Sequence, residues 1–169
     1  MQMTRSSLPP MRPFIHRLAI IGAALAGLVA VPARAQEAET PYWASIRKTE
    51  VNMRVGPGED YQISWVYHRP QLPLKVLRIK EGWRLVQDPD GAQGWVLARF
   101  LSRERTAFVI GKGLAPMRES GSAAARLRWN VEPGVIGLVG DCAAGWCPIA
   151  IGPHKGFVEQ ARLWGAGAP

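Results

Sequence analysis

The chain has 169 residues, of which 21 are basic and 13 acidic, for a formal net charge of +8. Four of the basic residues (Arg5, Arg12, Arg17, Arg34) and no acid lie in the first 35, which leaves 17 basic against 13 acidic residues, +4 over 134, with no run of Lys or Arg. So dilute an excess excludes a nucleic-acid footprint, and 134 residues allow one ordinary domain or two small ones.

In chain order, residues 1–17 carry Arg5, Arg12 and Arg17, and Leu18–Val31 is an unbroken apolar run of 14 residues. Pro32-Ala33-Arg34-Ala35 follows, with small residues at the −3 and −1 positions of a cut after Ala35. This is the pattern of a cleavable signal peptide over 1–35. The apolar run is shorter than the ~20 residues that span a bilayer. A periplasmic or secreted product with no membrane span is expected. No Cys follows the run to take a lipid, and translation could start at Met1, Met3 or Met11. Both cysteines, Cys142 and Cys147, lie in the mature part, where an oxidising compartment favours one disulfide.

Residues 36–45 read as a linker, polar and then aromatic. Beyond them the chain has no long helical period. Short runs rich in Val, Ile, Leu and Trp alternate with Gly, Pro and Asp, which predicts an all-β fold. An internal repeat organises the runs. Met53-Arg54 returns as Met117-Arg118, Trp65 as Trp129, and Val76 as Val139. Gly82-Trp83 returns as Gly145-Trp146, and Gly94-Trp95-Val96 as Gly156-Phe157-Val158. The copies cover 46–102 and 107–164, joined by the charged junction Ser102–Arg105. In each copy the Gly-Trp pairs predict a turn with positive φ ahead of a buried ring. The seven Trp are expected to supply much of the core of two such small units.

These residues resemble the bacterial SH3-like (SH3b) domain family. The first copy carries Val51-Asn52-Met53-Arg54-Val55-Gly56-Pro57-Gly58, then Leu72 to Val76, Glu81-Gly82-Trp83-Arg84, Asp90-Gly91, Gly94-Trp95-Val96 and Phe100-Leu101. The second keeps Met117-Arg118, Pro133-Gly134-Val135, Gly145-Trp146, Gly156-Phe157-Val158 and Leu163-Trp164, with Glu119-Ser120-Gly121 in place of Gly-Pro-Gly. The resemblance implies two tandem small SH3-like β-barrels. It also implies an envelope interaction module whose partner is peptidoglycan or a periplasmic protein. Gly56-Pro57-Gly58 is then a turn into the domain's long loop, with Gly58 expected in the left-handed position. A phosphate loop would need Lys and Ser/Thr, which are missing, and Glu59-Asp60 would repel a phosphate.

No catalytic residue is assigned. Aligned on the first copy, Cys142 and Cys147 fall on Ile79 and Arg84, opposite each other across a hairpin, so a structural disulfide is expected. Two Cys and a distant His154 do not make a zinc site, and no metal or cofactor is expected. Glu59-Asp60 and Asp88-Pro89-Asp90 read as solvated turn acids. The candidate binding residues are Tyr61, Trp65, Tyr67 and Arg54. Ile63, Trp65 and Tyr67 share one face of a strand, which either fills the core or presents an aromatic platform. Arg54 either joins that platform or pairs with an acid of its own domain.

Overall fold

A computed structural model describes residues 39–169, so the expected signal peptide lies outside the described residues. Seven short strands form the first copy: β1 (Tyr42–Ile46), β2 (Val51–Arg54), β3 (Ile63–Tyr67), β4 (Pro73–Lys80), β5 (Trp83–Gln87), β6 (Gln93–Leu97) and β7 (Leu101–Ser102). Seven more form the second: β8 (Thr106–Val109), β9 (Ala115–Arg118), β10 (Leu127–Val131), β11 (Ile136–Val139), β12 (Trp146–Ile151), β13 (His154–Glu159) and β14 (Leu163–Trp164). The sheets have the same order, β3-β2-β6-β5-β4-β1-β7 and β10-β9-β13-β12-β11-β8-β14, with every pairing antiparallel. The fold is therefore all-β, with two tandem SH3-like domains. The sheets are open rather than closed barrels: β3 and β10 each end a sheet with one edge unpaired. Among the described residues no helix is long and apolar enough to cross a membrane.

Several local expectations need correction. The stretch read as a linker holds all of β1 but Ile46, and β1 pairs with β4 and β7. Ala44 and Ile46 enter the first core, and Trp43 and Ser45, on the opposite face, are also buried. A strand covered on both sides shows no polar alternation, which hides it in the sequence. The tryptophans do not build the cores either. The first core is Ala44, Ile46, Val51, Met53, Tyr67, Leu72, Leu74, Val76, Val86 and Val96, and the second is likewise aliphatic with Met117 and Cys147. Trp83, Trp95 and Trp146 are half-buried on the outer layer.

In the β4–β5 turn the positive φ falls on Glu81 (50°), not Gly82; in the second copy Ala144 (50°) and Gly145 (80°) share it. Gly94 and Gly156 lie instead where β6 and β13 cross β2 and β9. A Cβ there would sit 2.9 Å from the Arg54 carbonyl and 2.7 Å from that of Arg118, closer than strands can approach with a side chain between them.

The disulfide Cys142–Cys147 is present, with its Cα atoms 4.1 Å apart. It closes a short loop, worth about 2 kcal/mol on the chain-entropy estimate. Cys147 is fully buried, so the bridge also fills part of the second core.

The two domains pack together. The Trp43 indole N–H donates to the Gly167 carbonyl (3.1 Å) and the Trp164 indole to that of Pro73 (3.2 Å), with the rings edge-on at 5.2 Å. The Thr106 hydroxyl donates to the Gln71 carbonyl at 2.8 Å. Arg105 at the junction donates to the carbonyls of Gly165 and Gly167, and Phe108 and Ile136 of the second domain rest on the first core. Trp43 and Trp164 thus fasten the domains to each other by ring contact and hydrogen bonds.

Candidate functional site

The long loop after β2 is held from both ends. The Val55 N–H donates to the Gln62 carbonyl at 3.0 Å, and the Arg54 guanidinium donates to the Tyr61 carbonyl at 2.6 Å. The second copy repeats the device with Glu119 N–H to Arg126 (2.9 Å) and Arg118 to Ala125 (2.8 Å). Arg54 is therefore a positioning residue bound to a backbone carbonyl, rather than paired with an acid. Gly56-Pro57-Gly58 does turn the chain, and Gly58 N–H donates to the Gly56 carbonyl (3.0 Å), but neither glycine adopts positive φ. The requirement is space. The Tyr61 ring lies where a Gly56 Cβ would be, and 3.1 Å from where one would stand on Gly58. Tyr61 is half-exposed on top of this loop.

On β3 the single aromatic face is divided. The register sets Val51 against Tyr67 and Met53 against Trp65, with a bulge between Met53 and Arg54. Val51, Met53 and Tyr67 are buried, whereas Trp65 is 59% exposed and Ile63 41%. The core ends between Tyr67 and Trp65, because β3 is an edge of its sheet and, among the described residues, nothing covers its first half. The face is thus core at one end and platform at the other.

Beside Trp65 lies a groove of about 400 Å³, whose lining includes Tyr67, Arg69, Asp88, Asp90 and Phe108. Asp88 is not a solvated turn acid. It is 6% exposed; one carboxylate oxygen accepts the Asp90 (3.1 Å) and Ala92 (2.8 Å) N–H groups, and the other accepts the Tyr67 hydroxyl at 3.0 Å. All three bonds order the β5–β6 turn and the groove floor. Phe108 comes from the second domain, with the Arg69 guanidinium 5.4 Å from its ring centre. The groove is therefore completed across the domain interface. Asp88 carried a readable turn signal but no sign of burial, and Phe108 carried no signal, since its place depends on how the domains dock.

Burial, and then the Asp88 carboxylate, push the Tyr67 phenol well above its ordinary range. Tyr67 stays protonated in the fold at pH values where the unfolded phenol ionises, so the stability it contributes is complete below about pH 10 and is lost as pH rises beyond it. Tyr67→Phe is expected to flatten the alkaline fall in unfolding free energy by up to ~1.4 kcal/mol per pH unit. Urea unfolding of both proteins between neutral and strongly alkaline pH reads this directly; parallel alkaline limbs would remove Tyr67 as the cause.

The remaining reactive groups are dispersed. Cys142 and Cys147 are joined, His68 lies 3.6 Å from Glu50 at the surface, and His154 lies tilted against Trp129 with ring centres 4.0 Å apart. Among the described residues no three His, Cys, Asp or Glu converge as a metal site would need.

Compared with known families, the chain matches the bacterial SH3 domain twice, over residues 47–103 and 111–165. No curated protein matches it. Among solved structures it is similar to NlpC2 and NlpC1 from Trichomonas vaginalis, each at 12% identity, with TM-scores of 0.35 and 0.36. These alignments cover 76% and 78% of this chain, which spans about half of each of those proteins, 49% and 48%.

Proposed function

Since this chain belongs to the bacterial SH3 domain family, with two copies packed against each other, we propose that it is an exported, non-catalytic binding module of the cell envelope that contacts peptidoglycan through the groove beside β3. The observation that carries this reading is the exposure of Trp65. A large ring left in solvent at the mouth of a groove, while its strand neighbour Tyr67 is buried, contributes little to packing and so supports a contact role. Tyr61 on the adjacent loop extends the same surface. Export is supported by the N-terminal charge and apolar pattern and by the disulfide. The non-catalytic reading is supported by the oxidised state of both thiols, which removes the Cys–His route to hydrolysis.

Co-sedimentation of the full chain with insoluble peptidoglycan tests the reading. Wild type is retained, and Trp65→Ala weakens retention by roughly 10-fold or more, as loss of an aromatic anchor does. Arg78→Ala, on the exposed face of β4, leaves it unchanged. Equal retention of the Trp65 variant would exclude the groove. No retention of wild type would transfer the role to an envelope protein partner, with this chain as a scaffold subunit.

A further inference from the structure

The second domain has a hollow at the place of the first groove, about 330 Å³, lined mainly by Met117, Trp129, Val131, Val135 and Ile151, with His154 and the exposed Glu132 at its margin. Its chemistry is inverted. Val131 and Ile151 stand where the first copy has the hydrogen-bonded Tyr67 and Asp88, and the shorter turn Ile151-Gly152-Pro153-His154 has no counterpart of Asp90. At the lip, Arg126 and Arg128 replace Gln62 and Ser64. A second concavity of about 310 Å³ is formed by Arg126, Leu127, Arg128 and Trp129. Trp129, 46% exposed, is the wall shared by the apolar hollow and the basic one.

The charges at this lip are available. Arg126 is exposed and makes no side-chain hydrogen bond or ion pair among the described residues. Arg128 is about half-exposed and donates to Glu119 at 2.6 Å; that bond lowers the Glu119 carboxyl below its usual range. Glu119 is itself half-exposed, so an incoming carboxylate can share Arg128 with it.

We propose that the second domain docks an acidic peptide segment, seating one apolar side chain in the hollow between Trp129, Val131 and Ile151 while flanking carboxylates meet Arg126 and Arg128. A purely ionic ligand would leave the hollow empty, and a neutral apolar one would leave the guanidinium pair unused. The site is separate from the groove beside β3 and does not depend on what that groove binds.

The test uses the full chain labelled with ¹⁵N and three probes: a capped Asp-Leu-Asp-centred hexapeptide, its Lys-Leu-Lys counterpart, and heparin. The acidic peptide is expected to shift the Trp129 indole N–H saturably. Binding should weaken roughly 5–10-fold in the Arg126→Glu, Arg128→Glu double variant, as loss of two exposed ion pairs implies. Trp65→Ala leaves it unchanged. Equal response to the Lys-containing peptide, a response confined to Trp65, or binding of heparin without the acidic peptide would each overturn the proposal.

Discussion

Asp88→Ala is expected to cost the first domain about 3 kcal/mol, more than any surface change near the groove. The substitution removes one acceptor from three donors, the N–H groups of Asp90 and Ala92 and the Tyr67 hydroxyl, and the last of these is buried. Most of that cost comes from the buried Tyr67 hydroxyl, left with only the Met53 sulfur as a weak acceptor, and from the turn that loses both of its N–H acceptor contacts. Asp88→Asn keeps a carbonyl oxygen for the turn and is expected to cost about 1 kcal/mol. Denaturant unfolding followed by circular dichroism gives both values. A change within ~0.5 kcal/mol for Asp88→Ala, the range of ordinary surface substitutions, would mean the carboxylate does not organise the turn.

Trp164→Ala is expected to loosen the two domains from each other. It removes the edge-on contact with Trp43 and the hydrogen bond to the Pro73 carbonyl. A fully buried Trp replaced by Ala costs 3–5 kcal/mol, and the partial exposure of Trp164 puts this case near the low end, ~3 kcal/mol. Once the interface opens, two further effects follow. The junction Ser102–Arg105, which carries Arg103 and Arg105 between the two sheets, should become a preferred cleavage site for trypsin once the domains no longer hold it from both sides. The groove should also lose its Phe108 wall. Unchanged tryptic resistance in this variant would show that the interface does not rest on the tryptophan pair.

The repeat, the all-β character and the disulfide were readable because each leaves a local mark: recurring Met-Arg and Gly-Trp pairs, turn residues between short apolar runs, and two cysteines across a hairpin. What the sequence concealed depends on contacts between segments far apart. β1 looked like a tether because its outer face, Trp43 and Ser45, is covered by the other domain. Trp65 and Tyr67 looked equivalent, since alternation cannot tell where the core stops along an open edge. Arg54 looked like a binding or ion-pairing group, yet its partner is a backbone carbonyl, which no residue type announces. The left-handed position expected of Gly58 failed for a related reason: a glycine required for a neighbouring ring looks the same as one required for its φ.

On the function proposed, the open edge of the first sheet leaves Trp65 in solvent as the ring that meets the ligand. The indole N–H signals of the full chain during titration with soluble peptidoglycan fragments test it most directly. A saturable shift of the Trp65 signal, with Trp83 and Trp95 still, is the expected result. Saturable binding that leaves Trp65 unmoved would contradict it.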